Sequence, residues 1–273
     1  MKATVFGAQG FVGRHLTQYL RGQGWAVLAL GRGAEPPEGQ SLGHVFYCIG
    51  LTADFRSRPF ETIDAHVSLA AEILRRTRYA SFLYCSSTRV YAGCAEAAET
   101  ARLTVAPSDP SDLYNLSKLM GEAACLAVGQ PEVRVARLSN VFGADDVSDN
   151  FLTSVLRDAV TLGRVVLQSS PASAKDYVAV EDVAAALARI AVHGRERIYN
   201  VAAGRNTSNA ELLAAIQAAT GCEVIAAADK ESQVFPLISV TRLRALGAWD
   251  PVDVRAGVPA LVQGASELPS QNG

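Results

Sequence analysis

Residues Lys2-Ala3-Thr4-Val5-Phe6 form a short apolar run that passes directly into Gly7-Ala8-Gln9-Gly10-Phe11-Val12-Gly13. After it, Leu16, Tyr19 and Leu20 recur at helical spacing until Gly22 and Gly24. A buried strand, a glycine turn and an amphipathic helix in that order leave few folds open. The glycines allow a tight turn and a close approach of backbone to a pyrophosphate, whose charge is met by the helix N-terminus. The spacing is Gly-x-x-Gly-x-x-Gly rather than the commoner Gly-x-Gly-x-x-Gly, but the strand before it and the helix after it are the context a dinucleotide loop requires. Taken alone, the glycines also read as a plain turn.

The rest of the first half repeats the alternation. Residues Trp25 to Leu30 read as a second strand ending in Gly31-Arg32. An acidic residue there would grip the ribose 2'-hydroxyl of NAD. Arg32, helped by Arg14, instead offers charge to a 2'-phosphate, which favours NADP and leaves NAD open. Gly33 to Gly43 is a Pro/Gly-rich loop, and His44-Val45-Phe46-Tyr47-Cys48-Ile49-Gly50 is a third strand. Ile63, Val67, Ala70, Ala71 and Leu74 trace a helix ending near Arg75-Arg76, and Ser81 to Cys85 is a strand running into Ser86-Ser87-Thr88-Arg89-Val90-Tyr91. A helix carrying Tyr114 and Lys118 and a strand over Val133 to Leu138 follow. Tyr114 and Lys118 share a helix face, so the ammonium can favour the phenolate and make a candidate acid/base.

Strands alternating with helices predict a doubly wound parallel sheet of Rossmann type. Beyond Gly143 the alternation loosens. The expected organisation is a dinucleotide-binding domain over 1–143 with a return near 176–203, a smaller substrate lobe from 144–175 and 204–263, and a flexible tail over 264–273. In the lobe, Phe151 to Leu162 and Asn209 to Ala219 read as helices, Val165 to Leu167 as a strand, and Leu243 to Leu246 as the start of a short last helix.

Composition narrows the partners. Formal net charge is −2 over 273 residues, so no basic field points to nucleic acid or an anionic membrane. The apolar runs are far below the ~20 residues that span a bilayer, and a soluble cytoplasmic protein with small-molecule partners is expected. The five cysteines lack a Cys-x-x-Cys pair and read as buried thiols, and the four histidines show no zinc-like spacing, so no metal centre is expected.

Taken together, Gly7-x-x-Gly10-x-x-Gly13, Ser86-Ser87 with Val90-Tyr91, and Tyr114-x-x-x-Lys118 resemble the extended short-chain dehydrogenase/reductase superfamily, in its nucleotide-sugar epimerase/dehydratase branch. Arg137 to Gly143, Lys175-Asp176-Tyr177-Val178 and Tyr199-Asn200-Val201 are similar to that branch's pattern as well. The resemblance implies that Tyr114 exchanges a proton with a substrate hydroxyl or ketone, and that Lys118 holds the cofactor ribose and keeps the tyrosine acidic. It further implies that Ser87, rather than Ser86, hydrogen-bonds the reacting oxygen. Phe11 and Val12 would approach the pyrophosphate, Cys48, Ile49, Gly50 and Leu51 would run along the cofactor, and Asn140 would contact substrate. Homodimers occur in the family, and one is left open here.

Three departures qualify this pattern. The eleven residues between Arg32 and His44 are too few for the strand-helix unit the family inserts there, so one strand of the sheet and part of the adenine pocket are expected to be missing. His66 stands where the family has Asn, either as a cofactor-side hydrogen bonder or as a satisfied, partly buried histidine. Thr88-Arg89 stands where sugar-nucleotide 4,6-dehydratases carry Asp-Glu, which disfavours dehydration and leaves 4-epimerisation or 4-keto-reduction. Arg56, Arg58, Arg89, Lys175 and Arg205 are candidates to meet a substrate pyrophosphate. The alternatives are an NADP-dependent reductase of a non-sugar carbonyl and a non-catalytic NADP-sensing protein.

Overall fold

The computed structural model describes residues 1–36, 39–226 and 230–267. Its centre is a six-stranded, wholly parallel sheet in the order β2-β1-β3-β4-β5-β9, built from Lys2–Phe6 (β1), Ala26–Leu30 (β2), His44–Tyr47 (β3), Ser81–Ser87 (β4), Val133–Leu138 (β5) and Ile198–Val201 (β9). The chain runs from β1 outward to β2, then crosses back to β3 on the other side of β1. That reversal opens the crevice at the strand ends where α/β sheets bind ligands. The sheet stops at β2, as the short connection to His44 predicts.

Side-chain alternation sorts the sheet into two cores. Val5, Phe46, Leu83 and Ala136 pack on Leu16 and Leu20 of α1 (Phe11–Gly22) and on Val183, Leu187 and Ile190 of α6 (Val180–His193). Val45, Tyr47, Phe82 and Tyr84 face the other way, against Ile73 and Leu74 of α3 (Leu69–Arg76) and Cys125 of α4 (Leu113–Ala127). A short helix α2 (Pro59–Ile63) joins α3 through a π-helical turn over Asp64–Ser68. In that turn, Ala65 O accepts from the Tyr47 hydroxyl (2.6 Å) and His66 O from the Tyr84 hydroxyl (2.9 Å), so two core tyrosines satisfy carbonyls in the widened turn.

The second lobe has its own core. Helices α5 (Phe151–Leu162) and α7 (Asn209–Thr220) pack with strand β7 (Arg164–Leu167) and with α9 (Val254–Glu267). β7 pairs with β11 (Glu223–Ala226), while β6 (Asn140–Phe142), β8 (Ala174–Ala179) and β10 (Asn206–Ser208) form a small sheet in the order β10-β8-β6. The short α8 (Thr241–Arg244) returns Leu243 to the core of the main sheet.

Two expectations change. The last helix does not begin near Leu243; α9 is a separate helix that runs to Glu267, so residues 264–267 of the expected tail are helical, and 268–273 lie outside the described residues. The third strand ends at Tyr47, and residues 48–51 form a loop.

Among the described residues, no helix is long and apolar enough to cross a membrane, and no group of three or more His, Cys, Asp or Glu side chains can hold a metal ion.

Candidate active site

The glycine loop meets the neighbouring strand end at backbone distance. Gly7 has φ +77°, and a Cβ on it would lie 3.0 Å from the backbone of Cys48 and Ile49. A Cβ on Gly13 would collide with the Gly7 carbonyl, so only glycine lets α1 begin this close to the loop. The N-cap of α1 is Gly10, with no side-chain cap and no acidic residue in the first turn. The first N–H groups of α1, from Phe11 and Val12 onward, are therefore left for an anion, which fits a dinucleotide pyrophosphate. Gly13→Ala is expected to weaken dinucleotide binding roughly tenfold in a fluorescence titration, because the added methyl displaces α1 from the loop.

At the end of β2, Arg32 is exposed. A cavity of about 420 Å³ opens beside it, lined by Gln9, Arg14, Gln18, Arg21 and Gly31 among others. Arg14 is committed elsewhere: it pairs with Asp145 at 2.8 Å and donates to the Asp145 carbonyl at 2.7 Å. It therefore offers less to a 2'-phosphate than its spacing suggests.

Ser87 closes β4, and successive residues of the strand, Ser86 and Ser87, point to opposite faces. Ser86 turns inward to the buried Glu122, whereas Ser87 reaches the Tyr114 phenol. The Ser87 Oγ also accepts from Arg89 N at 3.1 Å, which leaves its own proton free for the phenol oxygen. Tyr114 is 5% exposed. Burial raises its pKa above the usual phenol range, while the Ser87 hydroxyl and the Arg89 guanidinium pull it down.

Lys118 does not act on Tyr114 as its spacing predicts. Its Nζ donates to Cys85 O at 3.0 Å and lies 5.2 Å from the centre of the Tyr84 ring. Burial lowers its pKa to about 8. The cation over the Tyr114 ring is Arg89, 5.3 Å from its centre. The shared helix face holds, but the four-carbon stem carries the ammonium to the end of β4 instead. There it stands beside Gly50, where a Cβ would lie 3.3 Å from both Lys118 Nζ and His66 Nε2. A cofactor running along residues 48–51 would meet this ammonium.

His66 is fully buried, and both of its ring nitrogens are used within the protein. Leu51 N donates to Nε2 at 3.1 Å, so Nδ1 carries the proton and donates to Ser117 Oγ at 2.8 Å. The Ser117 hydroxyl in turn donates to the Tyr114 carbonyl at 2.9 Å. Burial, assisted by the Lys118 charge, lowers the His66 pKa to about 2. Within the protein, His66 fastens the 48–51 loop to the helix that carries Tyr114. Beside it, Cys48 and Cys85 are free thiols with their sulfurs 3.7 Å apart.

Asn140 is exposed on β6 and donates to Asp176 O at 2.7 Å. The Asp176 carboxylate accepts from Ala203, Gly204 and Arg205 N–H groups, which gives the Lys175 to Val178 motif a structural purpose. Phe55 was not legible as a site residue; its buried ring lies 5.5 Å from Tyr114 and 5.1 Å from the Arg89 guanidinium. Of the five candidate cations, Arg58 and Arg205 are held by Glu61 and Asp253.

A model of the NAD dependent epimerase/dehydratase family matches residues 3–202, which include the glycine loop, Ser87, Tyr114 and Lys118. The chain belongs to this family. It is 30% identical over 236 residues to a GDP-6-deoxy-D-mannose reductase of Pseudomonas aeruginosa, covering 77% of each chain. It is 26% identical over 192 residues to a dTDP-glucose 4,6-dehydratase of Streptomyces griseus, covering 67% of this chain and 58% of that one. The fold is shared with the structure of RMD from Pseudomonas aeruginosa complexed with NADPH, with TM-score 0.79, 23% identity, and coverage of 98% of this chain and 100% of the other. It is shared equally with a UDP-glucuronic acid 4-epimerase from Bacillus cereus in complex with NAD, with TM-score 0.80, 14% identity, and coverage of 100% and 99%. The fold is thus shared at low sequence identity.

Proposed function

We propose that the chain is an NAD(P)-dependent enzyme that modifies a nucleotide-linked sugar, as a 4-epimerase or a 4-ketoreductase. The observation that carries this reading is the meeting of Ser87, Tyr114 and Lys118 at the end of β4, beside a glycine loop fitted for a pyrophosphate, in a chain related to a nucleotide-sugar reductase. When bound, the nicotinamide supplies or accepts the hydride. Tyr114 gives a proton to the carbonyl oxygen, or takes one from the hydroxyl, at the carbon that exchanges the hydride. Ser87 orients that oxygen, and its hydroxyl beside the phenol acts against the burial that raises the Tyr114 pKa. Lys118, at the 48–51 loop, binds the ribose. Phe11, Val12 and the glycines cradle the pyrophosphate, and Asn140 faces the sugar. The Thr88-Arg89 pair supplies no carboxylate for eliminating water, which favours epimerisation or reduction over 4,6-dehydration.

Arg32, exposed beside the cavity at the end of β2, supports NADP over NAD. NADPH is therefore expected to bind more tightly than NADH, with Arg32→Ala flattening the difference in a fluorescence titration. Equal affinities in the unmodified protein would remove the argument.

The function is tested by incubating the protein with a panel of nucleotide sugars and 4-keto nucleotide sugars, with and without NADPH. Turnover on catalytic amounts of cofactor identifies an epimerase, and stoichiometric NADPH consumption a reductase. Turnover of apolar ketones with none of the nucleotide sugars accepted would contradict the reading.

A further inference from the structure

Two cations, Arg89 and Arg56, stand at Phe55, and Arg89 also at Tyr114. Arg89 lies 5.1 Å from the centre of the Phe55 ring and 5.3 Å from that of Tyr114. Arg56 lies 4.5 Å from the Phe55 ring and donates to Ser111 Oγ at 3.0 Å. Lys175, near the Phe151 ring, is close enough to feel the Arg89 charge, and Asp109 and Asp112 partly offset Arg89 without pairing with it. Among the described residues, none of the three is within ion-pair distance of a carboxylate, whereas Arg58, Arg205, Arg242 and Arg255 all are. Like charges gathered in a half-buried place repel one another, and an incoming anion relieves that repulsion.

Arg89 is the member that stands nearest the chemistry. It follows Ser87 by two residues, and the Ser87 Oγ caps its backbone N–H. Its guanidinium sits beside the two adjoining rings of Phe55 and Tyr114 and, among the described residues, makes one hydrogen bond, at 3.3 Å, to the Ser111 carbonyl. The remaining N–H donors of the fork are unspent, and the rings limit how far it can swing. A pyranose bonded to a diphosphate through C1 has that diphosphate at the opposite end of the ring from C4. A cation fixed over the acid/base tyrosine therefore faces the substituents beside the reacting carbon, not the diphosphate. Arg56 and Lys175, both exposed and further out, suit the diphosphate better.

We propose that Arg89 is a specificity-determining residue that receives a carboxylate on the sugar, next to the carbon served by Tyr114, so that the substrate is a nucleotide-linked sugar acid. A planar guanidinium pairs with a carboxylate through two parallel hydrogen bonds, which a neutral hydroxymethyl group cannot reproduce. The inference rests on the nucleotide-sugar reading given above.

The test is calorimetric titration of the NADP-loaded full chain with matched pairs, UDP-glucuronate against UDP-glucose and GDP-mannuronate against GDP-mannose. The acidic member of at least one pair is expected to bind roughly tenfold or more tightly than its neutral partner. Arg89→Gln is expected to abolish that preference with the neutral sugar's affinity retained, Arg89→Lys to keep part of it, and Arg56→Gln to weaken both members alike. Circular dichroism of each variant establishes that it is folded. Equal or tighter binding of the neutral sugars, or a preference that survives Arg89→Gln in the folded variant, would overturn the inference and leave the nucleotide-sugar reading standing. Failure of all four compounds to bind would overturn both.

Discussion

Tyr114→Phe is expected to lower turnover by roughly 10²- to 10⁴-fold, the usual worth of a positioned acid/base, while the cofactor binds as before. The ring stays in place because its packing against Phe55 and His66 does not involve the hydroxyl. Lys118 is unaffected, since its ammonium is tied to Cys85 O and not to the phenol. The phenol oxygen lies beside the half-buried Ser87 hydroxyl, and loss of that polar neighbour costs about 1 kcal/mol of stability at most. Steady-state rates and NADPH titration of the same preparation separate the two effects. Near wild-type turnover in the phenylalanine variant would mean that another group moves the proton.

The largest stability effect is expected behind the site, at the buried pair of Glu122 and Arg137. The two side chains meet at 2.6 Å, and each is almost wholly excluded from solvent. Arg137 Nε also donates to both Glu122 oxygens, and Nη1 donates to the Tyr91 hydroxyl, which in turn donates to Asn200 Oδ1. Against the cost of burial, Glu122 holds the guanidinium even above its ordinary range, so Arg137 remains charged at any working pH. Glu122→Gln leaves Arg137 buried without its counter-charge, and is expected to destabilise the fold by about 3–5 kcal/mol, lowering Tm by on the order of 10 °C. Glu122→Leu combined with Arg137→Met should recover much of that loss, since an uncompensated charge, more than a missing attraction, is what the single variant suffers. Denaturant melts of the single and double variants give the comparison; a single variant as stable as the parent would contradict this account of the pair.

Much of the sheet was legible because its strands announce themselves locally. The run over Lys2 to Phe6 leads into a turn that only glycine can make, and Phe151 to Leu162 matches its helix end to end. The shortened connection after Arg32 correctly foretold a sheet that ends at β2. The last helix was hidden because Gly257, Pro259 and Gly264 look like breakers. In the fold, Gly257 and Gly264 are packing positions, where a side chain would press on the Phe142 ring and collide with the Ala144 carbonyl. Tertiary contact decided their use, and spacing carries no record of it.

The same division holds within the site. Periodicity placed Tyr114 and Lys118 on one helix face, but the end of a long flexible side chain is set by its surroundings, and the ammonium went to the Cys85 carbonyl. His66 and Arg89 were visible as departures from a pattern. What they do depends on partners 51 and 25 residues away, Ser117 for the histidine and Tyr114 for the arginine. Phe55 had no signal at all, because a lone aromatic in a polar loop gains its meaning only once the loop is laid against α4.

The most direct measurement of the central claim is a single-turnover reaction of excess protein with a 4-keto nucleotide sugar and NADPH deuterated at the transferring position, followed by mass and NMR analysis of the sugar. Epimerase and reductase alike should leave one deuterium on C4 of the resulting hydroxyl sugar, and Tyr114→Phe should leave almost none. A wild-type product without deuterium at that carbon, or no product from any 4-keto nucleotide sugar, would contradict the account.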